Sequence, residues 1–394
     1  MKRIDVIELT QKAVAQAMGS EYMEQLGKFS ELDSAKLADV GRDVAQAGTV
    51  EVYSHALLSL MGKFELLNDE YQRKIKSLYV DSFEWGGFIE RTLIDLTEII
   101  ADPMWNLQNG HDYSDLENTF YGAKSDVLIF EEGKAIMSPI SIVTEQLMES
   151  FRNWDELVKY NTGIRQQVRN TVNYALDCYE RMLVACGIAV SSSVNGTNTA
   201  RHLLTEAKAL GIVADDVESK DALNIPEYLA YIMEQIANTK DNIKEMSTAF
   251  NDKTMPIFAV ETGTVLLSQF KNAVKFRLLQ KSYNRDELSI GEYDTVGFWQ
   301  GSNDGTNPSF DYSVASSISL KADQTNKLGI GTSAFSQSNI LGVTFDKRAM
   351  GICLYKQKVT SNYTACADFF TEFTHNLINL LLDKRFGIVA YLND

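Results

Sequence analysis

Between Leu157 and Cys186 the apolar positions Leu157, Ile164, Val168, Val172, Leu176, Tyr179, Leu183 and Cys186 recur at steps of three, four or seven. That is the period of one face of an α-helix. The stripe predicts a helix, or a helix pair, of about thirty residues, which at about 1.5 Å per residue runs some 45 Å. Arg165, Gln166, Gln167, Arg169 and Asn170 fall off the stripe, so one face should be solvated. An element of this length crosses a whole domain, and whatever the chain folds into must be built along it. A short helix at Val143 to Phe151 should precede it. Asn153 with Glu156 three residues later has capping-box spacing at its start. The serine and glycine cluster SSSVNGTNT, Ser191 to Thr199, marks a boundary at its end.

Ahead of that helix, Ile4, Ile7, Val14 and Met18 predict an amphipathic helix followed by a polar stretch to Gly48, together a loosely tied arm. Val52 to Gly62 is a second helical region. The run DSFEWGGFIERTLIDLTEII passes a glycine pair into a strand-forming stretch that ends before Pro103, and Ala101 to Lys124 is polar and turn-rich. DVLIFEEGKAIMSPISI then reads as strand, turn at Glu132 and Gly133, strand. A long hairpin projecting from the body explains this order, with Trp105 either an anchor for a neighbour or a local plug. Beyond the boundary, helices are expected near Thr199 to Leu210 and Pro226 to Met246, a short strand at Ile257 to Val260, a helix from Thr264 to Leu279, and a turn-rich β pattern to Asn339. This is a second, mixed α/β unit.

The chain offers little for chemistry. It has no GxxxxGK[ST], HExxH or GxSxG motif; its four histidines lie far apart, and Cys178, Cys186, Cys353 and Cys366 show no CxxC spacing. GIGTSAF, Gly329 to Phe335, lacks the third glycine of a phosphate cradle and reads as a loop. GSNDGTNPSFD, Gly301 to Asp311, is rich in hard oxygen donors but fails the calcium-loop spacing and reads as ordinary turns. A formal charge of −16 argues against a surface that grips nucleic acid, because counterion release needs clustered Lys and Arg. Apolar runs fall short of the roughly 18 residues of a membrane span, and the N-terminus carries no signal-peptide pattern. The expectation is a protein made in a cytoplasm.

One pattern remains. FDKRAMGI, Phe345 to Ile352, and LDKRFGI, Leu382 to Ile388, both place Asp-Lys-Arg at the edge of apolar runs. Taken as one strand, Phe345 to Leu354 would put Asp346 and Arg348 on one face and Lys347 on the other. The strand would start at a solvated rim, with Asp346 and Arg348 pairing locally or across subunits and fixing register more than stability. The second copy, at Asp383, precedes another strand, and its recurrence is expected by chance.

In order along the chain, LADVGRDV before a helix, FEWGGFIER entering a hairpin, TEQLMESFRNWDEL leading to a long helix, YDTVGFWQG after an α/β segment and ILGVTFDKRAMGI before the last strands resemble the major capsid proteins of small short-tailed, podovirus-type phages of Gram-positive bacteria. The resemblance covers nearly the whole chain. It implies an α+β chain with the Hong Kong 97 type capsid fold: an N-terminal arm at 1–50, a first part of the peripheral domain at 51–87, an extended β-hairpin loop at 88–135, the peripheral domain with its long spine helix at 136–189, a mixed α/β axial domain at 190–340 and a return to the peripheral domain at 341–394. It also implies a non-enzymatic shell subunit without cofactor or metal. Hundreds of copies, as hexamers and pentamers, would enclose packaged double-stranded DNA without sequence-specific contacts. A separate scaffolding protein and a portal protein would be partners, and Trp105, Asp346 and Arg348 are the candidate assembly contacts. The family-like words begin by Leu37, so the subunit is expected to remain uncut during maturation. An encapsulin-type compartment with protein cargo is the alternative within the same fold, and a two-domain enzyme with a site built from distant residues the alternative outside it.

Overall fold

A computed structural model describes residues 3–26, 34–46, 52–53, 74–82, 89–96, 122, 124–130, 133–143, 146–147, 154–194, 198–252, 255–278, 293–299, 316–329, 331–364 and 369–394. It is a mixed helix and sheet structure. The short helix expected at Val143 to Phe151, the capping pair before the long helix, most of Val52 to Gly62, the segment with Trp105 and the turns of Gly301 to Asp311 fall wholly or largely outside these residues.

The long helix is there, and it is longer than its stripe: Trp154–Val194, 41 residues, about 60 Å at 1.5 Å per residue. It runs through the serines that read as a boundary because their hydroxyls bond back into the helix. Ser191 and Ser192 donate to the Ile188 carbonyl at 2.7 and 3.1 Å, and Ser193 donates to Val190 at 2.9 Å. Serine can end a helix or ride within one, and here back-bonding satisfies it. Ile164, Val168, Val172, Leu176 and Leu183 are buried as the stripe requires, and Gln166, Gln167 and Asn170 are exposed. Arg169, expected in solvent, is buried. The covered arc is therefore wider than one stripe, and a helix at Arg3–Met18 packs on the same long helix.

That N-terminal stretch is more structured than a polar tether. Helices at Ser20–Leu26 and Ser34–Gln46 follow the first one. Ala13, Val14, Val40 and Val44 are all buried, and the Tyr22 hydroxyl donates to Asp43 at 2.6 Å.

Among the described residues thirteen strands follow in chain order: β1 (Tyr79–Ser82), β2 (Ile89–Ile94), β3 (Ser125–Phe130), β4 (Gly133–Val143), β5 (Ala200–His202), β6 (Thr262–Leu267), β7 (Asp294–Val296), β8 (Ile318–Leu320), β9 (Phe335–Gln337), β10 (Ile340–Asp346), β11 (Met350–Thr364), β12 (Phe369–Leu382) and β13 (Ile388–Leu392). Two of the sheets carry the fold. One has the order β1-β11-β12-β4, and the other β5-β13-β10-β6-β7. In the first, β12 alternates between half-buried and buried positions for most of its length, as a strand does when one face packs on a helix. Pro139 sits in β4, an edge strand, one of the few places in a sheet where proline is tolerated. In the second sheet every residue of β10 and β13 is buried, so both faces are covered. The long helix touches β4, β11 and β12 of one sheet and β5 and β13 of the other, and so it is the beam to which both are fixed.

The two strands expected here are β3 and β4, with Gly133 inside β4 and Glu132 outside the described residues, and the helix begun by Pro226 holds, at Pro226–Asn242. Four expectations need correction, the first being the strand at Ile257 to Val260, where the chain makes only an isolated bridge between Ile257 and Ser247. Thr264 to Leu279 is a strand to Leu267, a short helix at Ser268–Ala273 and a π-helical turn at Val274–Leu278. Its β-branched start is captured by pairing to both β10 and β7, a tertiary choice that local propensity cannot foresee. Thr199 to Leu210 opens with β5, parallel to β13, before its helix at Leu203–Ala209. Phe345 to Leu354 is not one strand: β10 ends at Asp346 and β11 begins at Met350. The stretch 341–394 is accordingly divided, with β10 and β13 completing the five-stranded sheet and β11 and β12 forming the middle of the four-stranded one.

Candidate functional site

The two Asp-Lys-Arg tripeptides occupy matching places. The first carries the chain from β10 to β11, out of the five-stranded sheet into the four-stranded one, and the second carries it back from β12 to β13. Each is the same turn. In the first, the Asp346 carbonyl accepts the Ala349 N–H at 2.8 Å and the Asp346 carboxylate accepts the Arg348 N–H at 2.9 Å. In the second, the Asp383 carbonyl accepts the Phe386 N–H at 3.3 Å and its carboxylate accepts the Arg385 N–H at 3.2 Å. Asp at the head of a turn commonly binds its own backbone two residues on.

The arginine then folds onto the same carboxylate. Arg348 reaches Asp346 through Nε at 3.1 Å and Nη2 at 2.7 Å, and Arg385 reaches Asp383 through Nε at 2.9 Å and Nη2 at 2.8 Å. Such forked pairs are the geometry in which a guanidinium compensates a carboxylate removed from water. Compensation is needed here, since the Asp346 and Asp383 side chains are 1% and 0% exposed. The hydrogen bond to Asp383 holds the Arg385 guanidinium above its ordinary pKa.

The turns are joined to each other. Asp383 N–H donates to the Ala349 carbonyl at 2.8 Å, Asp346 N–H donates to Gly387 at 2.9 Å, and the Arg348 guanidinium lies 4.7 Å from the centre of the Phe386 ring. The long helix reaches the same joint at Gly187, where a Cβ would collide with Met350, the first residue of β11.

From this joint the hairpin of β2 and β3 is held by its inner face. Arg385 Nη1 donates to the Asp126 carboxylate at 3.1 Å and to its carbonyl at 3.2 Å, and Nη2 donates to the Arg91 carbonyl at 3.4 Å. Arg91 donates back to the Arg348 carbonyl, lies 3.9 Å from the Asp383 carboxylate and stacks on Phe130. On the far side Lys347 pairs with Glu261 at 2.7 Å, a hydrogen bond that holds the Glu261 carboxyl below its ordinary pKa, and Arg348 Nη2 donates to the Phe258 carbonyl at 2.5 Å. The outer face of the hairpin is different in kind. Ile94, Val127 and Ile129 stand there 75%, 47% and 50% exposed, an apolar strip on a two-stranded ribbon, which is rarely stable without a partner.

This is a mechanical arrangement. Among the described residues no three His, Cys, Asp or Glu side chains group as metal ligands. No described helix is long and apolar enough to cross a membrane. Of the residues singled out in the sequence, Asp346 and Arg348 are brought together, by a turn instead of by alternation along a strand, and Trp105 lies outside the described residues. Asp383, Arg385, Arg91 and Asp126 were missed. The repeated tripeptide was the signal for the first two. For the others it was a charge at an inward register position on each strand of the hairpin, beside Leu93 and Leu128.

A model of the Phi29-like phage major capsid protein family matches residues 12–390. No curated protein matches. Among solved structures, the capsid of Staphylococcus phage Andhra aligns with TM-score 0.49 and 10% identity over 83% of this chain and 84% of that one. A structure of the head fibre and inner core protein of native bacteriophage P68 aligns with TM-score 0.48 and 9% identity over 81% and 83%. The capsid of cyanophage P-SCSP1u aligns with TM-score 0.45 and 13% identity over 83% and 90%.

Proposed function

The chain belongs to the Phi29-like phage major capsid protein family, and from that premise we propose how its parts make a shell: the β2–β3 hairpin docks by its outer face on a neighbouring copy, and the paired Asp-Lys-Arg turns set the angle at which it does so. The family's role is structural, and self-association into the virion shell follows from it. The observation that carries the proposal is the apolar strip of Ile94, Val127 and Ile129 on a ribbon clamped from its inner face. An isolated two-stranded ribbon with such a face lowers its free energy by burying it.

In this reading the chain has the Hong Kong 97 type arrangement. Residues 1–50 form the N-terminal arm, 88–135 the extended loop, 51–87, 136–189 and 341–394 the peripheral domain, and 190–340 the axial domain. The long helix that touches both main sheets supports it. Hexamers and pentamers close around double-stranded DNA, which a chain of charge −16 holds without adhering to it. A scaffolding protein and a portal are partners, and the subunit is made in the cytoplasm of the host bacterium. Trp105 acts as an assembly contact on the extended loop. Asp346 and Arg348 act indirectly, since Asp346 is already engaged within its own chain.

The test is Val127→Lys, in the presence of whatever scaffold the wild type requires. Its circular dichroism should match that of the wild-type subunit, while negative-stain microscopy shows no closed heads. Normal heads from this variant would remove the hairpin from the assembly contact, and wild-type heads filled with protein and not DNA would replace the phage reading with a compartment.

A further inference from the structure

The hairpin does not lie flush on the body. Between its inner face and the body is a cavity of about 590 Å³, mostly apolar, whose walls include Leu128 of β3, Leu183 and Val190 of the long helix, and Leu380 and Leu382 of β12. By comparison, an aliphatic cavity of about 150 Å³ takes a benzene ring, so this one has room for an aromatic side chain and its neighbours. Its charged lining consists of four carboxylates, Asp126, Asp252, Asp323 and Asp383, against two cations, Lys384 and Arg385. Asp383 and Arg385 neutralise each other in their forked pair, which leaves the lining net acidic.

Elsewhere on the same chain is a feature of opposite character. The π-helical turn Val274–Leu278 presents Phe276 57% exposed, between Lys275 and Arg277, which are exposed as well. The surrounding sequence KNAVKFRLLQK, 271–281, has four cations and no acid, an anomaly in a chain of net charge −16. An exposed phenyl ring flanked by cations has the make-up of an interface anchor, and π-helical turns, rare overall, are frequent at functional sites.

We propose that the cavity under the hairpin receives the Lys275–Arg277 turn of a second copy of this chain, with Phe276 filling the apolar floor and the two cations meeting Asp126 and Asp323 at the rim. Plug and receptacle are different patches of one surface, so the contact is heterologous, of the type that runs head to tail and closes into a ring when its rotation allows. The inference rests on the shell reading, since only an assembled subunit has a second copy in place. It also gives the hairpin clamp a further purpose. Arg385 holds the hairpin through Asp126 at a distance from the body that keeps the cavity open.

Cys186 lines the cavity and supplies the test. Particles of Phe276→Cys treated with a short bis-maleimide should give a ladder of linked subunits on a denaturing gel. The ladder should be lost in Phe276→Cys with Cys186→Ser and absent from unassembled subunits. Particles that form without a ladder, or a ladder that survives the loss of Cys186, would overturn the inference while leaving the shell reading intact. Where Phe276→Cys does not assemble, wild-type particles decide. Maleimide labelling of Cys186 should be lost on assembly, and equal labelling in particle and subunit is the overturning result. Phe276→Ala should raise the subunit concentration needed for assembly by about tenfold or more, as truncation of an anchor residue does. If the wild type forms no particles under any condition, the shell reading fails and the inference goes with it.

Discussion

The sharpest test of the paired turns is to remove one guanidinium from each and compare. Arg385→Met takes away two of the three close hydrogen bonds to the Asp383 carboxylate, at 2.9 and 2.8 Å. What is left is one backbone N–H at 3.2 Å and the Arg91 cation at 3.9 Å. Asp383 is 0% exposed and Arg385 itself only 4%, so water could reach the abandoned charge only from the cavity beneath the hairpin. Breaking a buried pair from one side costs about 3–5 kcal/mol. The lost contact with Asp126 adds little, because that carboxylate is 47% exposed and exposed pairs are worth about 0–1 kcal/mol. Arg348→Met breaks the same fork in the other turn, but its side chain is 39% exposed. Solvent can replace the guanidinium there, and the cost should be about 1–2 kcal/mol.

The assay is urea unfolding of the dilute, unassembled subunit, since assembly would add stability by mass action. With a slope of about 3 kcal/mol per molar, Arg385→Met should lower the midpoint by about 1 M or more and Arg348→Met by about half of that or less. Adding Asp383→Asn to Arg385→Met keeps an acceptor for the turn while removing the stranded charge, and should restore at least about half of the loss. Equal shifts for the two arginine variants, or a double variant no better than the single, would refute the view that a buried fork governs this joint.

Three further expectations concern the beam and the core. Leu176→Asp places an unpaired charge at a buried position of the long helix and should abolish recovery of folded subunit, whereas Gln167→Ala, on the exposed side, should change the unfolding midpoint within error. Gly187→Ala should destabilise by about 1–2 kcal/mol although alanine is the better helix former, because its Cβ meets Met350 in the core, and Met350→Val should relieve it. Burial pushes the hydroxyls of Tyr160 and Tyr391 up to about 12. Their neutral forms therefore stabilise the fold fully below pH 10, and that stability falls by about 1.4 kcal/mol per pH unit for the buried Tyr391, and by less for the partly solvated Tyr160, as pH rises from 10 to 12, so tyrosinate absorbance should rise together with loss of helix signal.

The sequence was most legible where one local period dominates. The stripe from Leu157 to Cys186 could be read because a helix repeats every 3.6 residues whatever it packs against. Its end could not be placed, because Ser191 to Ser193 are compatible both with a loop and with a helix in which hydroxyls bond back to Ile188 and Val190. The hairpin strands were legible for the same local reason. Sheet membership was not. β10, β11, β12 and β13 are all rich in apolar residues, and what separates them into two sheets is pairing with β6 and β5 on one side and with β1 and β4 on the other, partners distant in the chain. Local periodicity has no access to that, so the joint was seen as two words and not as one site. Yet the words held turn chemistry: an acceptor carboxylate, an exposed lysine, and an arginine two places on whose fork can return to that carboxylate. A strand that leads into a buried Asp must keep the charge compensated at the point where the chain leaves the sheet. Two such ends lie side by side here, Asp346 beside Gly387 and Asp383 beside Ala349. They face the same problem and meet it with the same three residues, which makes the repeat a consequence of two antiparallel crossings between the sheets and not the coincidence expected from the sequence alone.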